Sequence, residues 1–110
     1  IVVGVALTPD TQCLIGREQF KQMKPSGILI NTTRGAVLDE QALYESLVSR
    51  EIGGAACDVF TDEPVSGSHP LLTLDNFIAT PHLGANTEEA LKRVGMAVVK
   101  GVLERLDIQG

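Results

Sequence analysis

Aromatic residues are scarce. There is no tryptophan, and one tyrosine and three phenylalanines are the whole set, too few rings for the stacking platforms that hold single-stranded nucleic acid. Positive charge is also sparse: nine Lys and Arg stand against fourteen Asp and Glu, a net charge of -5 at pH 7 with no basic cluster. That balance argues against a nucleic-acid partner. No apolar stretch approaches a membrane span or the apolar segment of a secretory leader, so no membrane partner and a cytoplasmic residence are the default expectations. Cysteine is limited to Cys13 and Cys57, without CxxC spacing. Cys57 lies inside an apolar strand pattern and reads as a small reduced core residue rather than half of a disulfide or a metal ligand. Zinc and calcium ligand spacings, a Walker-type phosphate loop and a GxSxG nucleophile elbow are all missing, so no metal is expected. An initiator methionine is missing too: the chain opens with Ile1 inside the apolar run IVVGV, and it reads as a piece of something longer, with room for one domain at most.

What is present is organised around residues 24–40, KPSGILINTTRGAVLDE. Ile28, Leu29 and Ile30 form an apolar run without polar alternation, the pattern of a parallel strand covered on both faces. Asn31, Thr32, Thr33 and Arg34 follow directly. Gly35 is read as a residue tolerant of positive φ, and Asp39 as the cap of the next helix. Arg34 is thereby delivered to the carboxyl end of a strand, where open α/β sheets bind their ligands.

The remaining elements alternate in the same way. Residues 1–5 read as a strand, and residues 6–11 as a loop punctuated by Pro9 and Asp10. Gly16 is a tolerable N-cap for a short helix over 17–23, with Gln19 three residues on, an Ile15–Phe20 staple, and Pro25 as its stop. Residues 39–50 have the spacing of an amphipathic helix with Ala42, Leu43, Leu47 and Val48 facing inward. Gly53 and Gly54 open a strand of small apolar residues, Ala55, Ala56 and Cys57, continued by Val59 and Phe60 and interrupted by Asp58. Residues 61–76 lack a helical period over most of their length, and a connection that long is more often functional than idle. Residues 77–80 are the last strand. From Asn86 onward, a capping box with Glu89 starts a helix in which Leu91, Val94, Val98, Val102 and Leu106 recur over about 20 residues, roughly 30 Å. Gly95 and Gly101 within it are expected to mark close packing against another element.

Three strands thus end in ionisable groups: Arg34, then Asp58 with Glu63, then His82. Singly, each has an ordinary structural reading: Arg34 as a surface ion pair, His82 as a satisfied structural residue, Asp58 as a loop cap, Glu63 as a solvated charge. Jointly they converge, because parallel strands deliver their carboxyl ends to one edge. An arginine fork matches a carboxylate and polarises a neighbouring carbonyl, while a histidine held by a carboxylate donates protons near neutral pH. A 2-keto acid presents both features.

The motifs MKPSGILINTTRGAVLDEQAL, GGAACDVFTDEP, HPLL and TPHLGANT occur in that order. Through them the chain resembles, over essentially its whole length, the NAD(P)-binding part of the D-isomer-specific 2-hydroxyacid dehydrogenases. The resemblance implies an α/β fold: the C-terminal half of a Rossmann-type doubly wound parallel sheet, ending in a long helix that leads to a separate substrate domain. Residues 1–110 would then be a partial NAD(P)-binding domain, with the glycine-rich half and its ribose-reading residue upstream. It further implies that Arg34 binds the substrate carboxylate and keto oxygen, that His82 is the acid/base, and that Glu63 holds and tunes His82. Asp58, with backbone around Thr32 and Gly84, would orient the nicotinamide of NAD or NADP, and the Ala6 loop would lie along the cofactor. Where the family often carries His-x-Pro before the equivalent of Leu7 and Thr8, this chain reads Gly4-Val5-Ala6. The stretches VALTPDT and SHPLLTLDN lean toward glyoxylate and hydroxypyruvate reductases, with a homodimer as the parent protein. The alternatives are a phosphoglycerate or other D-2-hydroxyacid dehydrogenase, and a corepressor-like relative that keeps the cofactor site for partner binding.

Overall fold

The computed structural model describes residues 1–106. Its centre is a four-stranded, all-parallel sheet in the order β1 (Val2–Val3), β2 (Ile28–Asn31), β3 (Gly54–Cys57), β4 (Phe77–Ala79). Val2 pairs with Ile30, Ile28 with Gly54, and Ala55 with Phe77. Helix α1 (Arg17–Lys21) connects the first two strands and α2 (Glu40–Val48) the second pair. The 3-10 turn Pro70–Thr73 lies in the connection from β3 to β4. The α/β class and the four parallel strands agree with the sequence pattern.

Each strand is the next one's neighbour, and right-handed crossovers between successive neighbours place their connections on one face. The core therefore lies on that face. Val3, Leu29, Ala55, Cys57 and Phe77 meet Phe20 of α1 and Leu43 and Leu47 of α2 there, all buried. The alternate positions, Val2, Ile28, Ile30 and Ile78, lie on the opposite face and are 36–69 % exposed. The expectation that β2 is covered on both faces is thus met on one face only among the described residues. Burial pushes the Cys57 thiol up to about 12, with the negative charge of Glu40 adding to it. It stays protonated in the core, as expected of a reduced packing residue, whereas Cys13 is exposed.

Helix ends follow the capping chemistry with one correction. Asp39 accepts the Ala42 N–H at 3.0 Å, and Gln19 Oε1 accepts the Gly16 N–H at 3.0 Å. Helix α3 (Glu88–Arg105) is capped by Thr87, whose Oγ1 accepts the Ala90 N–H at 3.1 Å, rather than by Asn86. Ala85 adopts a left-handed φ of 62°, and the Asn86 N–H turns back to the Leu83 carbonyl, which uses Asn86 in the turn before the helix. Val48 is 54 % exposed rather than inward. At 100° per residue the buried stripe of α2 centres between Ala42, Leu43, Ser46 and Leu47, and position 48 falls on the opposite side.

Helix α3 buries none of its residues. Leu91, Val94, Val98 and Val102 are 49–62 % exposed, and a Cβ on Gly95 or Gly101 would meet nothing within 4 Å. The close packing expected at these glycines does not occur among the described residues, because α3 runs away from the sheet instead of over it. No helix among the described residues is long and apolar enough to cross a membrane.

Candidate active site

The carboxyl edge of the sheet is built by side chains that fold back onto the backbone. At the end of β2, Asn31 is fully buried. Its Oδ1 accepts the Thr33 N–H at 3.1 Å and the Thr33 hydroxyl at 2.9 Å, and its Nδ2 donates to the Arg34 carbonyl at 3.0 Å. This Asx turn ends the strand and leaves Thr32 and Arg34 exposed at the edge. Arg34 donates one N–H to the Thr33 carbonyl at 2.7 Å, which anchors the guanidinium and leaves its other donors without a partner among the described residues.

Gly35 does not have the positive φ expected for it. It is required for a different reason: a Cβ there would stand 1.9 Å from the Phe60 carbonyl carbon and 2.2 Å from the Thr61 nitrogen. The turn carrying Arg34 is therefore pressed directly onto the backbone that leads to Glu63. Gly35→Ala is expected to cost about 3 kcal/mol or more, because backbone rather than a flexible side chain must move. A thermal melt equal to wild type would show that the two segments are not in contact.

At the ends of β3 and β4, Asp58 acts as a clip. Its Oδ1 accepts the Thr80 hydroxyl at 2.5 Å and the Leu83 N–H at 2.7 Å, and its Oδ2 accepts the Gly84 N–H at 2.8 Å. These bonds, the Thr80 hydroxyl first, outweigh desolvation and hold the carboxyl below the usual carboxylate range. They also secure His82 in a left-handed conformation (φ 52°), a strain of about 1–3 kcal/mol for a residue with a Cβ. His82 Nδ1 lies 2.6 Å from Glu63 Oε2, and Glu63 Oε1 accepts the Phe60 N–H at 2.9 Å. The His82 hydrogen bond is the main reason the Glu63 carboxyl lies below its ordinary range, followed by the Phe60 N–H, with the charges of His82 and Arg34 adding to it. With Nδ1 engaged, Nε2 of His82 makes no hydrogen bond among the described residues and is available to a ligand.

A cavity of about 410 Å³ opens here, lined by Asp58, Phe60, Glu63, Pro64, Thr80 and His82 among others. Three of the expected site residues, Asp58, Glu63 and His82, thus share one cavity. Arg34 stands beside it on the neighbouring strand end, near enough for its charge to act on Glu63. Ala6, after β1, and Thr32, after β2, occupy the same carboxyl edge without lining the cavity, and Ala6 is tied by its carbonyl to Thr11 Oγ1 at 2.7 Å. Gly84 is exposed, and a Cβ on it would stand 3.2 Å from Asp58 Oδ2. The residues that sequence reasoning passed over are the braces: Asn31, Thr80 and the Phe60 N–H. Only the Asn-x-Thr spacing of the first carries a signal in the sequence.

A family model described as "D-isomer specific 2-hydroxyacid dehydrogenase, NAD binding domain" matches residues 1–84. The D-3-phosphoglycerate dehydrogenase of Methanocaldococcus jannaschii is 51% identical over 102 residues, which are 93% of this chain and 19% of that protein. A glyoxylate/hydroxypyruvate reductase B of Pectobacterium carotovorum is 46% identical over 106 residues, 96% of this chain and 33% of the relative. The crystal structure of a D-isomer specific 2-hydroxyacid dehydrogenase from Xanthobacter autotrophicus in complex with NADPH and MES superimposes with a TM-score of 0.71 at 41% identity, covering 74% of this chain and 27% of that one. The chain spans between a fifth and about a third of the length of these relatives. Sequence motifs and parallel sheet agree with these matches, and the chain belongs to the D-isomer specific 2-hydroxyacid dehydrogenase family, whose NAD binding domain its residues 1–84 match.

Proposed function

We propose that the protein carrying this chain interconverts a small 2-keto acid and a D-2-hydroxy acid with NAD or NADP, with glyoxylate or hydroxypyruvate as the keto substrate. The observation that carries this reading is the 2.6 Å contact of Glu63 with His82, beside the remaining donors of Arg34. Glu63 orients the ring through Nδ1, which places Nε2 to give a proton to a keto oxygen on reduction and to take it back on oxidation. The Arg34 fork pairs with the substrate carboxylate and polarises the adjacent carbonyl. Phe60, Pro64 and Val65 supply apolar walls that limit water.

The residues fit a nicotinamide. Asp58 Oδ2 accepts one hydrogen bond and keeps a lone pair for an amide N–H, and the absence of a Cβ on Gly84 leaves that oxygen open. Thr32 and the Ala6 loop lie on the same edge of the sheet. A bound nicotinamide supplies or receives the hydride. The uncovered sheet face and the apolar stripe of α3 are surfaces on which the remainder of a dinucleotide-binding fold would pack. A second substrate, D-3-phosphoglycerate, is favoured by the 51% identity to the Methanocaldococcus protein.

The test is nicotinamide absorbance with the full-length protein, NADH or NADPH, and glyoxylate or hydroxypyruvate, against D-3-phosphoglycerate oxidation with NAD or NADP. Turnover of the keto acids is expected, and none with any of these would end the proposal. In the same assay Glu63→Gln removes the negative charge beside the His82 proton. Reduction needs that proton, so the alkaline limb of the kcat/KM profile should move to lower pH. A limb at the wild-type position would mean that Glu63 does not tune His82.

A further inference from the structure

Another pair of ionisable residues meets on the far side of the Phe60 backbone. Glu40, the first residue of α2, accepts the Thr61 N–H through Oε1 at 2.6 Å. Its Oε2 lies 3.3 Å from Nε2 of His69, and both side chains are largely buried, 21% and 24% exposed. His69 Nδ1 accepts the Leu71 N–H at 3.3 Å, which assigns the ring proton to Nε2, pointing at Glu40. The same imidazole packs edge-on against the Phe60 ring at 5.3 Å between centroids. Phe60 and Thr61 are therefore gripped from three directions: Glu40 on the Thr61 N–H, His69 on the Phe60 ring, and Gly35 against the peptide between them. The remaining group, the Phe60 N–H, is the one that aims Glu63 at His82.

We propose that Glu40 and His69 are positioning residues for the Glu63–His82 pair. Neither lines the cavity described above nor meets its ionisable groups, and they act by fixing the 60–61 peptide from which the Glu63 carboxylate is directed. Glu40 is suited to this because it follows Arg34 by six positions and is held by the start of α2. It ties the segment bearing the arginine to the segment bearing the carboxylate.

This inference rests on the dehydrogenase reading, and its test separates the two. In the full-length protein, Glu40→Ala is expected to lower kcat for keto-acid reduction about tenfold or more, by analogy with small misplacements of catalytic groups. KM for NADH or NADPH should change little, and the alkaline limb should move in the same direction as in Glu63→Gln. Glu40→Gln keeps an oxygen for the Thr61 N–H and should recover most of kcat. His69→Phe, which keeps the ring contact but loses Nε2–H, should fall between them and serves as the reporter if the alanine variant does not fold. The pH at which the His82 ring protons titrate, followed by NMR, gives the comparison without turnover and should move to lower pH in Glu40→Ala. If wild type reduces keto acids while kcat, pH profile and His82 titration are the same in folded variants, the positioning role is overturned. A lower Tm alone would assign Glu40 and His69 to stability and overturn it as well. If wild type reduces no 2-keto acid but the His82 titration responds to Glu40→Ala, the positioning role stands and the dehydrogenase reading falls.

Discussion

His82→Asn is expected to lower kcat/KM for keto-acid reduction by about 10²- to 10⁴-fold, the usual contribution of a positioned general acid. Asparagine can still meet Glu63 and tolerates the left-handed conformation that His82 adopts at φ 52°, so the Asp58 clip and the turn should survive. What is lost is an imidazole, a side chain that can both give and take a proton. Because only the proton transfer is removed, KM for the nicotinamide cofactor should hardly change, and the pH dependence assigned to His82 should vanish from the residual rate. Full-length wild type and variant would be compared by stopped-flow nicotinamide absorbance across pH. A variant with undiminished kcat/KM would remove His82 from the chemistry, whatever its contact with Glu63.

Arg34→Lys should cost about 2–4 kcal/mol of transition-state stabilisation, by analogy with other preorganised donors. That corresponds to about 30- to 900-fold in kcat/KM. The charge is retained, so the loss measures geometry. Arg34 anchors one N–H on the Thr33 carbonyl and keeps a planar set of further donors for carboxylate and carbonyl oxygens together, whereas an ammonium is a point charge on a flexible stem. The loss should therefore appear with the 2-keto acid and not in cofactor affinity measured by fluorescence titration. Equal losses in both would place Arg34 on the cofactor instead. The fold should be nearly unaffected, since Arg34 is exposed and Asn31 builds its turn.

The main-chain pattern was legible because local rules set it. Apolar runs ending in polar turns marked β2, β3 and β4, and the three-and-four spacing marked α3. Boundaries shifted where a neighbouring residue competed better, as when Thr87 rather than Asn86 capped α3. Val48 was misplaced although its angle on α2 was already readable at 100° per residue. The role of Gly35 was not readable at all. A glycine after a strand looks like a turn residue, and only the approach of Phe60 and Thr61, some 25 positions later, shows that the space for a side chain is occupied.

The same division holds for the site. The residue types and their order along the chain, Arg34, Asp58, Glu63 and His82, were determined by the sequence alone, and so was their delivery to one edge, because parallel strands share a direction. Which of them pair was decided by the tertiary structure. Glu63 could have been a solvated loop charge, and it is the Phe60 N–H, in a segment that also meets Glu40, His69 and Gly35, that binds it where it faces His82. Asp58 could have faced a ligand with both oxygens, but its Oδ1 is spent on Thr80 and Leu83 in holding the His82 turn. The physical reason is range: strand and helix patterns arise from neighbours within a few residues, whereas these pairings, all but the local Phe60–Glu63 bond, join side chains or backbone to partners across turns and crossovers, in the space the fold creates.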